Sequence, residues 1–518
     1  MLSREPYDLC VVGAGVAGAL VAAVAARRGR RVLIVEAGQR FDLAGRMDQI
    51  MRHQVLGGPI WRWSRDDRDG YVDDSLDQIG YEYRLNRSRV RAVGGSTLHW
   101  GGMINRLWES DFRTASTWGL GVDWPISYAD IEPYYCLAER ELGVSGTPNP
   151  GDPPRSQPFP MPGFPPRWGE EEGWGAALAA LGGSLDIEGH ARNSQPYGGR
   201  PPCVAFAVCS GCPIGARYSA DFHVAEAEAT GNVTVLTETV ARRIDVDGTG
   251  RVSAVHAAGL DGTELAIAAK DYVIAAHAIE TARLLLLSEV GNDADHVGRN
   301  LMEHWYVTAQ GLTPERSALP GRIGFATTGT SHWYEGPDRR DRGGIKIEFT
   351  AGSDPLQNGI RDGLSGSLLE ARECDLFGRV HQVDAEIEHQ PNPDSRVTLD
   401  PLERDLFGDP VPKLRWALSD VDRRTRDVAR ERIAQVLDAR GCTDIQPSDR
   451  LAQAHHHMGT CRMSADPSDG VVDPNCRVHG VENLYLAGAS VFPTGGARQP
   501  TLTVAALALR LADYVTKG

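Results

Sequence analysis

Three consecutive histidines, His455, His456 and His457, stand in the run AHHHMGTCRM, with Cys461 shortly behind them. Imidazole and thiolate both ligate metals, and a neutral imidazole is well suited to take a proton near neutral pH. Local geometry disfavours a metal centre. Neighbouring side chains diverge in extended chain, and no carboxylate or further histidine accompanies the three at a ligand spacing. A base or a solvated loop remains. A second group, Cys203, Cys209 and Cys212, has Cys-x5-Cys-x2-Cys spacing. Three such thiolates suit an iron–sulfur cluster or zinc, and three buried free thiols in a core are the plainer alternative.

The N-terminal run YDLCVVGAGVAGALVAAVAARRGRRVLIVEAG carries Gly13, Gly15 and Gly18 as G-x-G-x-x-G, followed by Glu36. Each residue has a physical task. Gly13 makes the tight turn, Gly15 lets a pyrophosphate approach the backbone, and Gly18 lets the helix pack close to the strand. The helix N-terminus faces the phosphates. Glu36 stands where a carboxylate accepts from the ribose hydroxyls. NAD and FAD both satisfy this pattern, and the motif's place at the start of the chain with the ending VEAG leans to FAD. A second run, RAVGGSTLHWGGM, has Gly94, Gly95, Gly101 and Gly102 around Ser96, Thr97, His99 and Trp100. It is too rich in glycine for an ordinary strand or helix, and suits backbone wrapped around a flat polar ring system.

The elements that position these groups follow from periodicity. Tyr7 to Val12 reads as a buried strand, about Val16 to Arg28 as a helix stopped by Gly29, and Arg31 to Val35 as a second strand. Short alternating runs between Asn232 and Ala276 carry hairpin signals at Asp247-Gly248 and Asp261-Gly262. An amphipathic helix is expected from Asp420 to Arg440, with Val421, Val428, Ile433, Val436 and Leu437 on one face, Ser419 as N-cap and Gly441 as stop. The Pro/Gly-rich piece GTPNPGDPPRSQPFPMPGFPPRWG reads as an irregular surface connection or lid.

The chain's 518 residues are 41% hydrophobic and 24% charged, an ordinary globular balance for two or three domains. A formal charge of −15 argues against a nucleic-acid partner and is compatible with a neutral or cationic substrate. No signal segment or membrane span is evident, and nine scattered cysteines point to a reducing, cytoplasmic setting.

Together with the C-terminal block from HHHMGTCRM to AGASVFPTGGARQPTLTVAALALRLADYV, and with VGRNLMEH and DYVIAAHAIETARLLLLS, these motifs resemble the glucose–methanol–choline (GMC) oxidoreductases. RNSQPYGGRPPCVAFAVCSGCPIGARYSA is most similar to the bacterial sugar dehydrogenases of the gluconate, fructose and glucose type, and GGSTLHW to pyranose oxidase. The resemblance implies an α/β fold with a discontinuous Rossmann-like FAD-binding domain and a substrate domain built on a β-sheet with flanking helices. The FAD-binding parts would be 1–107, with a lid-like insertion at about 45–80, then 201–304 and 449–518. The substrate parts would be 108–200 and 305–448. The implied reaction is oxidation of an alcohol group of a carbohydrate, glycoside or polyol by hydride transfer to flavin N5. An aminosugar alcohol is one alternative substrate, and a hydroxynitrile-type lyase that retains FAD is an alternative of another class. The implied base is His456, and Gln499 falls at the family's second catalytic position, where histidine or asparagine is usual. Glutamine can hold a substrate oxygen but cannot act as a second base. Gly488, Pro500 and Thr501 join the cofactor-binding residues, with the helix after Pro500 aimed at the flavin. His99 occupies the place of a covalent FAD attachment, although many relatives keep a histidine there with unlinked FAD. The cysteine spacing departs by one residue from the cluster-binding pattern, so an iron–sulfur cluster is not expected. The implied partner is a small alcohol or sugar, with the electron acceptor left open between oxygen, a quinone and a protein.

Overall fold

The structure, a computed structural model, describes residues 7–56, 70–167, 169–205, 211–316, 325–351, 359–360 and 362–517. YDLCVV forms the strand Tyr7–Val12, the Ala- and Val-rich run behind it forms the helix Val16–Arg27, and VLIV forms the strand Val32–Val35. All four residues of the last strand are buried, as a parallel strand covered on both faces requires. Five strands lie parallel in the order Leu484–Leu486, Ala269–Ile274, Tyr7–Val12, Val32–Val35, Val233–Leu236. Both ends and the middle of the chain thus meet in one Rossmann-like sheet. The apolar C-terminal helix Thr501–Thr516 packs on the helix Val16–Arg27.

The alternating runs of the middle segment divide between two sheets. Val233–Leu236 and Ala269–Ile274 enter the parallel sheet. Thr239–Val246, Val252–Gly259 and Glu264–Ile267 form a separate antiparallel sheet, turning at the two Asp-Gly pairs.

The larger sheet is antiparallel, with the strands Trp305–Leu312, Val380–Ile387 and Ile345–Ala351 side by side at its centre. Side chains alternate between its faces. Trp305, Val307, Ala309, Ile345, Ile347, Phe349, Val383, Ala385 and Ile387 are buried on one face, over which the helix Asp420–Ala439 packs. The register arranges the opposite face in rows: Tyr306, Glu386 and Lys346; Thr308, Asp384 and Glu348; Gln310, Gln382 and Thr350. Such a polar face cannot pack against an apolar layer without a large desolvation cost. It is a surface for hydrogen bonding.

The helix Asp420–Ala439 starts with a capping box: Ser419 Oγ accepts from the Asp422 N–H at 3.2 Å, and Asp422 Oδ2 accepts from the Ser419 N–H at 2.7 Å. Its buried stripe runs through Thr425, Ala429, Ile433, Val436 and Leu437. Val421 and Val428, expected on that face, are only half-buried. Thr425 and Ala429 stand at successive i−4 steps from Ile433, and these smaller residues let the helix sit close to the sheet. Ser419→Ala is expected to cost about 1 kcal/mol of stability, read from the urea midpoint of the holoprotein.

The Pro/Gly-rich piece is tied down by Arg106, whose buried guanidinium donates to Glu132, Glu139 and the Pro154 carbonyl. The insertion expected at about 45–80 begins in the helix Leu43–Leu56, and residues 57–69 of it lie outside the described residues. Among the described residues no helix is long and apolar enough to cross a membrane.

Candidate active site

A cavity of about 600 Å³ is lined from both large sheets. From the parallel side come Gly13, Gly15, Glu36, Ala275, Gly488 and Pro500, and from the antiparallel side Tyr306, Glu348 and Thr350. Gly95, Ser96, His99, Gly101, Gly102, Thr501, His456 and Gln499 also line it. Of the residues expected to meet a dinucleotide, Gly18 and Gly94 lie outside the lining.

Gly13 has φ +101°, and a Cβ there would meet the Ala275 carbonyl oxygen at 2.5 Å. A Cβ on Gly18 would collide with the Gly13 carbonyl, so Gly18 acts in the packing of helix on strand. A Cβ on Gly15 meets nothing within 4 Å. Because Gly15 lines the cavity, a side chain there enters the space left for a ligand rather than the protein. Gly15→Val is therefore expected to fold with a near-native melting temperature as apoprotein. It should weaken FAD binding by at least about tenfold, measured by titration of flavin fluorescence.

Glu36 lines the cavity while its two oxygens accept from the Ala14 N–H at 2.8 Å and the Gly38 N–H at 2.9 Å. Burial pushes its pKa up against these bonds. The Gly-rich second run forms a short 3₁₀ turn, Gly95–Leu98, that brings Ser96 and His99 to the cavity. Burial pushes the His99 pKa down to about 3, so its imidazole is neutral. The C-terminal helix starts at Thr501 with Pro500 as its N-cap, both in the lining. Pro500 thus stands one position before the first helical turn.

The three histidines part company. His457 is buried, with Nε2 at 2.7 Å from the Tyr83 hydroxyl and Nδ1 at 3.1 Å from His277 Nε2. His455 bonds Ser88 Oγ through Nδ1 at 2.7 Å. All three border the cavity, and it is His456 whose Nδ1 lies 3.1 Å from Glu386 Oε1. The carboxylate of Glu303 holds this loop by accepting from the backbone N–H of His456 and of His304 and from the Tyr83 hydroxyl.

No carboxylate or further histidine stands at a ligand spacing from the three histidines in sequence, but the fold brings two such groups to His456. His304 and Glu386 come within 4.8 Å of it, close enough for the three to be considered as metal ligands. They were invisible at sequence spacing because 82 residues separate His304 from Glu386 and 70 separate Glu386 from His456. Their ligand atoms are hydrogen-bonded to one another. His304 Nδ1 is 2.6 Å from Glu386 Oε1, and the two Nδ1 atoms are 3.0 Å apart. Ligands sharing a zinc ion at about 2.0–2.1 Å would stand farther apart than 2.6 Å in a tetrahedral site. Despite burial, the Glu386 charge holds the His304 pKa up, and the two histidines hold the Glu386 pKa well down.

Gln499 is bound from all sides. Its Nε2 donates at 2.6 Å both to Glu386 Oε2 and to Glu348 Oε1. Its Oε1 accepts from Asn105 Nδ2 at 3.1 Å, with Lys346 Nζ at 3.4 Å. Lys346 also pairs with Glu348 at 2.9 Å and Glu188 at 3.1 Å. Sequence reasoning missed Glu386, Glu348, Lys346 and Tyr306, and their only local signal was the period-two polarity of their strands.

Cys461 is buried, and burial pushes its thiol up to about 12. Cys212 Sγ accepts from the Arg217 N–H at 3.4 Å, and Cys203 Sγ from the Ala205 N–H at 3.4 Å. Cys209 lies outside the described residues.

A glycine-lined cavity on a parallel sheet, opening onto a histidine–carboxylate cluster on a large antiparallel sheet, has the form of an enzyme that uses a nucleotide cofactor. The family described as GMC oxidoreductase matches this chain over residues 177–306 and 391–508, and a NAD(P)-binding Rossmann-like domain matches residues 11–67. The chain is 29% identical to the fructose dehydrogenase large subunit of Gluconobacter japonicus over 98% of this chain and 97% of that one. It is 30% identical to 6'''-hydroxyparomomycin C oxidase of Streptomyces lividus over 97% of this chain and 90% of that one. A formate oxidase variant from Aspergillus oryzae has the same fold, with TM-score 0.69 at 18% identity over 100% of this chain and 99% of that one. The chain belongs to the GMC oxidoreductases. It is an enzyme of that family, and its cofactor is FAD. The cavity fits that cofactor: Gly15 leaves open space in its lining, and the Gly-rich second run wraps it.

Proposed function

We propose that this protein oxidises an alcohol group of a carbohydrate, glycoside or polyol, with His456 as the general base. The observation that carries this reading is His456 in the cavity wall with Nδ1 committed to Glu386. A neutral imidazole that donates through Nδ1 keeps a bare lone pair on Nε2. Bound FAD supplies the two-electron sink for the hydride of the C–H bond. Nε2 takes the hydroxyl proton, and the Glu386 carboxylate stabilises the imidazolium so formed. Glu303 fixes the loop, so the ring enters the cavity in one orientation. Gln499 acts as a positioning residue by holding the other oxygen of Glu386. Gly13, Gly15, Glu36 and Gly95, Ser96, Gly101 and Gly102 would hold the cofactor.

The relatives' names give fructose and 6'''-hydroxyparomomycin C as substrates, which supports a carbohydrate or aminosugar alcohol here. The test is anaerobic mixing of the holoprotein with sugars, polyols and aminosugars. Bleaching of the flavin is expected. Substrate cleavage with an unchanged flavin spectrum would overturn the reading in favour of a lyase.

A further inference from the structure

The polar face of the antiparallel sheet carries more negative charge than its cations balance. Among the described residues, four carboxylates, Glu188, Glu348, Asp384 and Glu386, face two cationic partners, Lys346 and His304. Lys346 is shared between Glu188 and Glu348, and His304 is committed to Glu386. Asp384 is satisfied by neutral donors: the hydroxyls of Thr308 and Thr350 and the amide of Gln382. Those bonds orient its charge without neutralising it.

Glu348 is where this excess reaches the cavity. It is only 5% exposed, yet it lines the cavity beside Tyr306 and Thr350. Its two oxygens differ. Oε1 is held by Lys346 and Gln499, whereas among the described residues Oε2 has one long bond, accepted from the Tyr306 hydroxyl at 3.4 Å. Burial together with the charges of Glu386 and Glu188 pushes its pKa up to about 7, against the pull of Lys346. A buried carboxylate with an oxygen held by one long bond is stabilised by a further, cationic donor. The Tyr306 and Thr350 oxygens beside it offer further acceptors for a group with several N–H bonds. Glu348 is linked to His456 through Gln499 and Glu386, and both line the same cavity.

We propose that Glu348, backed by Asp384, recognises an ammonium group, and that the preferred substrate is an amino sugar or amino polyol whose protonated amine sits at Glu348 while its hydroxyl meets His456. This rests on the alcohol-oxidation reading above and adds the substrate's charge and the residue that selects it. A neutral sugar brings no charge to the Glu348 oxygen, which then keeps its long bond from Tyr306. An ammonium satisfies it and offsets the cluster's charge.

The test compares the amino, N-acetylamino and hydroxyl forms of the same sugar, in the glucose and galactose series, by anaerobic flavin reduction in the holoprotein. N-acetylation removes the charge and keeps the sugar. The amino form is expected to exceed both neutral forms in kcat/KM by at least about tenfold. Glu348→Gln should bring the amino-to-N-acetyl ratio close to one. Asp384→Asn, which keeps the contacts of Glu348 intact, should lower the ratio severalfold. Equal rates for the amino and neutral forms, or a preference that survives Glu348→Gln, would overturn the subsite and leave alcohol oxidation standing. No flavin bleaching with any alcohol would overturn both.

Discussion

His456→Ala is expected to slow anaerobic reduction of the bound flavin by about 10²–10⁴-fold, the usual worth of a positioned general base. FAD should remain bound, because His456 is one wall of a cavity whose glycine cradle lies on the parallel sheet. Two features make the effect large. The ring's Nδ1 is committed to Glu386, so its other nitrogen is the one free to take a proton. His457 cannot substitute: it is committed on both nitrogens to Tyr83 and His277, and burial holds its pKa well below the ordinary value. Rapid mixing separates this loss from slower reoxidation, and the ratio of flavin to protein absorbance checks cofactor content. A variant that reduces its flavin at the native rate would remove His456 from the proton-transfer step.

Gln499→Leu has the second large effect. It deletes two short hydrogen bonds to buried carboxylates, each 2.6 Å long. Hydrogen bonds to charged groups contribute about 1.5–3 kcal/mol each, so the loss is expected to reach about 3 kcal/mol or more. Glu348 and Glu386 then face each other with no donor between them. Glu386 loses the bond that fixes its second oxygen, and with it the orientation of His456. Flavin reduction should fall by at least about tenfold and the melting temperature of the holoprotein should drop by several degrees. Gln499→Asn keeps the amide on a stem one methylene shorter. It reaches one carboxylate instead of two and should fall between the two proteins in both measurements. If the Gln499→Leu protein kept native turnover while losing stability, Gln499 would be structural and not part of the positioning of His456.

The N-terminal glycine motif was legible in the chain because its residues are local. Gly13, Gly15 and Gly18 lie within one turn and one helix start, and the roles read from their spacing reappear as a positive φ, an open Cβ direction and a close helix–strand contact. The helix Asp420–Ala439 was legible for the same reason, since its cap and its periodicity are properties of consecutive residues. Even there the buried stripe shifted to Thr425 and Ala429, because how deep a helix sits is set by the sheet beneath it.

By itself, then, the sequence determined the cofactor class, the family, and which of three adjacent histidines stands at the motif position. These depend on backbone conformation and spacing along a short stretch. Only the tertiary structure decided what surrounds that histidine. Period-two alternation shows that Lys346, Glu348 and Thr350 share a face, as do Gln382, Asp384 and Glu386, but not that the two strands are neighbours or that this face lines the cavity. The pairing of those strands brings carboxylates, lysine, glutamine and histidines into one buried cluster. Charge and protonation there depend on distance and desolvation, and neither is written in the order of the residues.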